Sequence, residues 1–401
     1  MSAIRTPKSR SELMALLTEA CELEHGLACS YLYAAFSLKQ RPDEGNLSIE
    51  QARKVKLWAS QIFFVASQEM LHLAQAWNLL SAIGGTPYCQ RPNLPQNSRY
   101  YPLHARIALQ GFSVSTLKSF IIYETPGEAT LPCVRSQATL SDEERRRGHL
   151  SIGELYGTIA EGFRALGDLF EGNAANQVDR HSVQFTDLVT VHDTDSALQA
   201  INMITDQGEG TQIDRLDCHY GIFKTILHDF EAETARAGGD FQPARPVMDN
   251  PVADSMYGYG AAAHPIKDPS ARQVAELFDG VYFLMLQALA FAFAPAADGP
   301  ASGRGAAAAL ELMTTVIRPL GDALTCLPSG VANRTAGPGF GLTRFLALPA
   351  DSGIALRLID ERLREFQADA ARLAGILPST PQLSVAAARL SDVAQRLASL
   401  N

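Results

Sequence analysis

The 401-residue sequence lacks the features that mark several large classes of protein. Its six cysteines form no CxxC pair and stand at irregular spacings, which indicates reduced thiols rather than a disulfide framework. It contains no GxSxG, no GxxxxGK[ST] and no strand-linked GxGxxG. Without these motifs, the sequence gives no support for an esterase or for a nucleotide-binding enzyme.

Long apolar runs and an excess of basic residues are also missing. The N-terminal residues MSAIRTPKSRSEL contain no apolar signal-peptide segment. The longest apolar run, Val281 to Ala294, has about 14 residues and is interrupted by Gln287, whereas a membrane span needs about 20. The net charge of −9 at pH 7 argues against nucleic acid as a partner. We therefore expect a cytoplasmic protein that acts without a membrane or nucleic acid.

What the sequence does contain is helical periodicity, and we expect an all-α fold. Ser9 or Ser11 can cap a first long helix, which extends to about Lys39. A second long helix is predicted over about 48–83. It ends at Gly84-Gly85-Thr86-Pro87, because two glycines followed by a proline stop a helix.

After the second helix we expect a long crossover, about 88–148, that contains one short helix ended by Pro126. The fold expected from this order is a four-helix bundle with a long crossover over residues 1–240, followed by a helical C-terminal domain over 241–401. No strand pattern is evident. Further helices are predicted at about 150–171, 194–206, 213–236, 270–294, 306–326, 353–374 and 381–400.

One ExxH spacing in the second helix, Glu69 to His72, places a carboxylate and an imidazole on the apolar face of that helix. Burying both is costly unless they are paired or bound to a metal ion. Glu24 lies on the apolar face of the first helix, and Tyr31, our candidate catalytic residue, follows two turns later. A carboxylate from one helix and an ExxH from its antiparallel neighbour make half of a di-metal site.

The other half of such a site needs a second histidine and further carboxylates. His219 is the best candidate histidine, because it falls on a predicted apolar stripe that includes Leu216. With leucine at position 216, there is no second ExxH. Glu209 stands between two glycines, a setting in which the backbone can approach a ligand closely.

The last carboxylate is open among three residues. Glu124 lies on the face of the short crossover helix, whereas Glu154 and Glu161 fall roughly opposite the apolar face of the third long helix. We favour Glu124 for this reason. Carboxylates and imidazoles suit iron, with manganese as an alternative, and no thiolate is needed. The predicted ligands of two metal ions are Glu24, Glu69, His72, Glu124, Glu209 and His219.

Several of these motifs together resemble a known family. They are Cys21-Glu-Leu-Glu24-His-Gly, Ser67-Gln-Glu69-Met-Leu-His72 and Ile204-Thr-Asp-Gln-Gly-Glu209. The pattern is similar to the ferritin-like superfamily and, more narrowly, to the ferritin-like domain of iminophenyl-pyruvate dimer synthases of the violacein and indolocarbazole pathways. The resemblance covers about residues 12–236. It implies oxidative chemistry on an imine derived from an aromatic amino acid.

The resemblance does not imply the complete coupling reaction, because this chain is much shorter than the violacein-type enzyme. Some members of the indolocarbazole branch are haem proteins, and no haem-ligand motif is evident here. We expect a di-iron oxidase or oxygenase that uses O2 on a small organic substrate in secondary metabolism. The alternatives are a metal-free ferritin-like scaffold and a ferroxidase. The amphipathic helix at 381–400 can pack on its own chain or on a second copy as a homodimer.

Overall fold

The computed structural model describes residues 5–45, 47–96, 106–125, 151–180, 185–208, 216–238, 241–253, 262–293, 299–342 and 346–399. Helices dominate these residues, and the predicted all-α class is confirmed. The helices of the first half are α1 (Arg10–Ser37), α2 (Ile49–Ala82), α3 (Val114–Tyr123), α4 (Ile152–Ala165), α5 (Thr194–Gly208) and α6 (His219–Arg236).

The helices of the second half follow a short irregular segment with two two-residue strands. The strands β1 (Pro251–Val252) and β2 (His264–Pro265) pair in parallel. A π-helical segment, Leu312–Ile317, separates two of the later helices. Those helices are α7 (Pro269–Ala292), α8 (Gly299–Glu311), α9 (Arg318–Cys326), α10 (Ser352–Ile376) and α11 (Pro381–Ser399).

The long helices α1 and α2 begin where the sequence predicts. The hydroxyl of Ser9 accepts a hydrogen bond from the backbone N–H of Glu12 and so caps α1. Ser48 and Gln51 form a capping box at the start of α2. At the far end of α2, Gly84 adopts a φ of +82°, a left-handed conformation that glycine reaches without strain.

Helices α1 and α2 lie antiparallel and pack along much of their length. The ring of Phe36, near the end of α1, lies 5.5 Å from the ring of Phe63 in α2. Glu24, twelve residues earlier, lies against His72, nine residues later. Helix α3 packs on α6, and α4 packs on α5 and α1. This arrangement surrounds the buried middle of α1 and α2 with helices.

The start of α6 differs from its prediction. The helix begins at His219, with Cys218 as the N-cap, rather than at about 213. Leu216 therefore precedes the helix and is 71% exposed, so its predicted place on an apolar stripe is wrong. Helix α4 also ends early, at Ala165, and Asp168 just beyond it has a positive φ of 50° that ends helical geometry.

Helix α7 is the one described helix that is long and apolar enough to cross a membrane by length and composition. Most of its apolar window is buried, since it packs against α8 and α10. The prediction of a buried helix in this stretch agrees with that packing. Helices α10 and α11 pair with each other, and α9 packs on both α11 and α1.

Two glycines of the second half pack directly on aromatic rings of α1. A Cβ at Gly321 would lie 2.8 Å from Cδ2 of Phe36, and a Cβ at Gly337 would overlap the ring and hydroxyl of Tyr33. One hydrophobic core includes buried residues from both halves of the chain. The proposed division into domains at residue 240 stays a prediction.

Asp279 of α7 provides a pH-dependence test. Its carboxylate accepts a hydrogen bond from the Gly341 N–H at 3.0 Å. Burial raises the pKa of Asp279 from 3.8 to about 7, although this hydrogen bond opposes the shift. Between these pH values the unfolded chain has already lost the proton that the folded chain keeps. The free energy of unfolding should therefore fall as pH rises from 3.8 to about 7.

We expect Asp279→Asn to remove this part of the pH dependence, since asparagine keeps an acceptor for Gly341 but does not ionise. Urea denaturation of the wild type and of Asp279→Asn at about pH 4 and about pH 8 measures the free energy of unfolding of each protein. The stability of the variant relative to the wild type should increase at the higher pH. An unchanged difference between the two proteins would contradict the raised pKa.

Candidate metal centre

The ExxH pair of α2 meets Glu24 of α1 in the buried interior. His72 Nδ1 lies 3.4 Å from Glu69 Oε2 and 3.6 Å from Glu24 Oε2. All three side chains are at most 2% exposed. Because α1 and α2 are antiparallel and closely packed, the apolar faces that carry these residues are turned toward each other. These three residues, called the first triad below, offer ligand atoms within 4.8 Å of one another.

A second triad is built from three different helices. His219, the first residue of α6, places Nδ1 2.9 Å from Glu69 Oε1 and 3.6 Å from Glu124 Oε2. Glu124 is the C-cap residue of α3, and α3 packs on α6. The second triad is therefore Glu69, Glu124 and His219, and its ligand atoms also lie within 4.8 Å of one another.

Glu69 belongs to both triads and uses a different oxygen in each. Its Oε2 faces His72 of the first triad, and its Oε1 faces His219 of the second. The rings of His72 and His219 lie nearly parallel, with centroids 5.3 Å apart. A carboxylate shared in this way is suited to bridge two metal ions, each with a histidine and a terminal carboxylate of its own.

Two of the candidate ligand atoms are close together but are not hydrogen-bonded to each other. His219 Nδ1 and Glu69 Oε1 are in contact, yet neither makes a hydrogen bond of acceptable geometry among the described residues. Buried polar atoms without partners are uncommon in folded proteins and call for an explanation such as an ion. Imidazole nitrogen and carboxylate oxygen are both ligands of iron and manganese. The residues present therefore fit a metal centre.

The pKa shifts of the buried glutamate and histidines also support a cation site. Burial and the charge of Glu69 raise the pKa of Glu24 to about 7. Burial lowers the pKa of His72, but hydrogen bonds to Glu24 and Glu69 outweigh burial and raise it to about 10. Burial also lowers the pKa of His219, but the charges of Glu69 and Glu124 outweigh burial and raise this pKa to about 9. Without a cation the carboxylates hold protons on both imidazoles, and a bound metal ion would replace them.

Two buried tyrosines hold the terminal carboxylates. Tyr31 of α1 donates its hydroxyl proton to Glu124 Oε1. Tyr156 of α4 donates to Glu24 Oε1 at 2.6 Å. Each hydrogen bond leaves the other oxygen of the carboxylate, Oε2, facing a histidine. The predicted candidate Tyr31 is thus in contact with a predicted ligand, and Tyr156 has the equivalent place in the first triad.

The two histidines are also held by matching side-chain amides. His72 Nε2 lies 3.1 Å from Gln207 Oε1 at the end of α5. His219 Nε2 lies 3.1 Å from Gln68 Oε1 of α2. Since an amide oxygen accepts, each Nε2 carries the proton, and each Nδ1 faces the carboxylates. Neither glutamine was a predicted site residue, although both stand inside motifs that carry the family resemblance.

The rival carboxylates of α4 lie elsewhere. Glu154 completes the capping box of Ser151 at the start of α4. Glu161 accepts a hydrogen bond from Thr6 at 2.8 Å on an exposed surface. Glu124 is the one of the three that lies beside His219.

The sixth predicted ligand, Glu209, lies outside the described residues. Its chain neighbour Gly208 is described, and a Cβ there would be 3.5 Å from Glu124 Oε2. The structure therefore brings together five of the six predicted ligands, and the assignment of Glu209 stays a prediction.

Tyr156 was missed as a site residue because it lies on the apolar face of α4 with ordinary core residues. Its hydroxyl was the available signal, since a buried tyrosine needs a hydrogen-bond partner.

A cavity of about 20 Å³ opens beside the first triad. This volume is enough for about one water-sized molecule. The walls combine carboxylates and apolar side chains, so a small neutral molecule could lie next to the ligand atoms. The lining residues are Glu24, Leu27, Glu69, His72, Glu124, Ile152, Gly153, Tyr156, Ile204, Thr205 and Gly208.

The comparison with protein families agrees with the geometry. The family model described as Ferritin-like matches residues 17–228, more than half of the chain. The chain belongs to the Ferritin-like family. The matched range contains both triads of this ferritin-like chain, together with the tyrosines and glutamines around them.

The ferritin-like chain is also similar to curated enzymes of known activity. It is 32% identical to 2-imino-3-(indol-3-yl)propanoate dimerase of Chromobacterium violaceum over 357 residues, which cover 82% of this chain and 34% of that relative. It is 30% identical to dichlorochromopyrrolate synthase of Lentzea aerocolonigenes over 416 residues, covering 93% of this chain and 40% of that relative. The resemblance found in the sequence is confirmed. The chain spans well under half the length of either relative.

Among solved structures, a ferritin-like protein from Caulobacter vibrioides matches with a TM-score of 0.48 and 20% identity. The match covers 80% of this chain and 97% of that chain.

Proposed function

We propose that this chain is a di-metal oxidoreductase that uses O2 to oxidise a small substrate derived from an aromatic amino acid. The observation that carries the proposal is that two triads share Glu69. Each triad would offer its own ion a histidine and a terminal carboxylate in addition to Glu69. Iron is the proposed metal, with manganese as the alternative, because the described donor set contains oxygen and imidazole nitrogen. Two reduced iron ions would supply two electrons to dioxygen.

The protein residues around the ions would have distinct roles. Glu24, Glu69, His72, Glu124 and His219 would hold the ions, with Glu209 as a further proposed ligand. Tyr31 is the proposed catalytic residue, because its hydroxyl is a buried proton donor in contact with Glu124. Tyr156 would orient Glu24 by its hydrogen bond. The small cavity has room for a molecule the size of water or dioxygen, and its apolar walls would limit the entry of bulk water.

The substrate class comes from the relatives. One relative is named for a reaction of an indole-bearing imino acid, and the other for the synthesis of a dichlorinated chromopyrrolate. We therefore propose an imine of an aromatic 2-oxo acid as the substrate class. Because the chain spans only part of each relative, we propose oxidation of the imine and not the whole dimerisation reaction.

Metal content tests the first half of this proposal. Elemental analysis of the purified wild type, loaded with Fe(II) without oxygen, should find about two ions per chain. Glu24→Ala should bind clearly less, because it removes the terminal carboxylate of the first triad. A wild type that binds no metal would support the alternative, a metal-free ferritin-like scaffold.

Oxygen uptake tests the second half. An amino acid and an amino-acid oxidase can generate an aromatic imino acid in the same solution, with catalase to remove the peroxide. Because the oxidase itself consumes O2, the iron-loaded wild type should add O2 uptake above that of the same mixture without this chain. The matched controls are the metal-free protein and Tyr31→Phe. Oxygen uptake with Fe(II) alone and no response to the imine would favour a ferroxidase instead.

A further inference from the structure

A chain of hydrogen bonds connects the metal-facing histidine of α2 to a surface carboxylate. His72 Nε2 lies 3.1 Å from Gln207 Oε1. The other end of the same amide, Gln207 Nε2, donates to Asp187 Oδ2 at 3.1 Å. A carboxylate only accepts and an amide nitrogen only donates. Asp187 therefore decides which end of the Gln207 amide faces His72.

The loop that carries Asp187 is tied back to α2. Two residues further on, the Val189 N–H donates to Gln75 Oε1 at 2.8 Å, and Gln75 Nε2 donates to the Val189 carbonyl at 2.9 Å. The same carbonyl accepts from Asn78 Nδ2 at 3.0 Å. Gln75 stands one helical turn after His72, and residues three apart share a helix face. The contacts thus form a closed ring from α2 through α5 and the loop back to α2.

This ring has a chemical consequence for the metal-facing atom. With the amide oxygen toward His72, the imidazole keeps a proton on Nε2. A metal ion would then replace the proton on Nδ1 and bind there, beside Glu24 and Glu69. If the amide were reversed, its N–H groups would face Nε2 and favour the tautomer with the proton on Nδ1. That tautomer cannot bind a metal through Nδ1.

In the part of the chain that the structure describes, the second triad has no such outer carboxylate. His219 Nε2 contacts Gln68 Oε1, but no carboxylate among the described residues accepts from the nitrogen of Gln68. The two halves of the centre, which match in their glutamate, histidine, tyrosine and glutamine, differ at this point. Within the described ranges, only the histidine of the first triad is thus connected through an amide to an outer carboxylate.

We propose that Asp187 is a positioning residue that, through Gln207, holds His72 in the metal-binding tautomer and so strengthens the ion site of the first triad over that of the second. This inference rests on the proposed metal centre. Outer partners of metal-bound histidines contribute about tenfold to a hundredfold in metal affinity. Asp187 is exposed, and its effect would act through orientation of the amide rather than through its charge at a distance.

Co²⁺ binding by the intact chain tests the proposal, using competition with a chelating dye. The wild type should bind two ions, and Asp187→Ala should weaken one of them about tenfold or more while leaving the other unchanged. Asp195→Ala is the matched control, since Asp195 is an exposed aspartate in the first turn of α5. Proton NMR of the Co²⁺ protein gives a second readout. The wild type should show two exchangeable imidazole N–H signals, and one of them should be lost or exchange faster in Asp187→Ala.

A rescue variant separates positioning from a merely structural role. A glutamate at 207 accepts from His72 through either oxygen, so it needs no neighbour to orient it. The double variant Asp187→Ala with Gln207→Glu should therefore regain the affinity that Asp187→Ala loses. Wild-type binding by Asp187→Ala, or a loss without rescue, would overturn the inference and leave the metal centre standing. A wild type that binds no Co²⁺ would overturn both.

Discussion

Glu69→Ala is expected to abolish binding of both metal ions. Glu69 supplies one oxygen to each triad, at 3.4 Å from His72 Nδ1 and 2.9 Å from His219 Nδ1. Its loss leaves each ion position with one histidine and one carboxylate, too few to hold an ion in competition with water. Elemental analysis after anaerobic Fe(II) loading should fall from about two ions per chain to almost none.

The matched control for this experiment is Glu161→Ala. Glu161 is a glutamate of the neighbouring helix α4, and it contacts Thr6 on the surface instead of the triads. Its removal should leave metal content unchanged. His72→Ala should also lose most of the metal, but only Glu69→Ala removes a residue common to both triads. Equal metal content in Glu69→Ala, Glu161→Ala and the wild type would refute the ligand assignment.

Trp77→Ala is expected to produce a large loss of folding stability. Trp77 of α2 is fully buried, and its ring meets Phe293 edge-on, with centroids 5.0 Å apart. Its Nε1 also donates to the Tyr88 carbonyl at 2.9 Å. Truncation leaves a cavity between the bundle and the end of α7, and an unpaired carbonyl. The expected cost is about 3–5 kcal/mol.

Urea denaturation, followed by the fluorescence of the remaining Trp58, measures this cost. Trp77→Phe is the matched control, because it keeps an aromatic ring near Phe293 and loses only part of the volume and the N–H donor. It should cost clearly less than the alanine variant. A loss below about 1 kcal/mol for Trp77→Ala would show that this contact does not hold the second half of the chain to the first.

The sequence was most informative where local signals acted alone. Ser9 or Ser11 was predicted to cap α1, and Gly84-Gly85 to end α2, and both signals depend on only a few neighbouring residues. The ExxH of α2 and Glu24 were identifiable because charged groups on an apolar helix face are rare.

The rest of the site depends on contacts distant in sequence. Glu124 reaches His219 only because α3 packs on α6. Helical phase favoured Glu124 over Glu154 and Glu161, but it could not show which residues Glu124 would meet. Leu216 was wrongly placed on the stripe of α6 because its apolar side chain matches the spacing of the helix that follows it. The role of Gln207 depends on its hydrogen bond to Asp187, which lies in a loop 20 residues earlier in the chain.

The contact of Phe36 with Gly321 has a consequence for how this chain can diverge. A side chain at 321 would require the ring at 36 to shift or to be replaced by a smaller residue, and the same holds for position 337 and the ring at 33. In a family alignment, a larger residue at either glycine should therefore appear together with a smaller residue at its aromatic partner. If such paired changes occur, the two halves of the chain evolve together. A chimera that combines one half of this chain with the other half of a homologue would then have mismatched contacts at these two places.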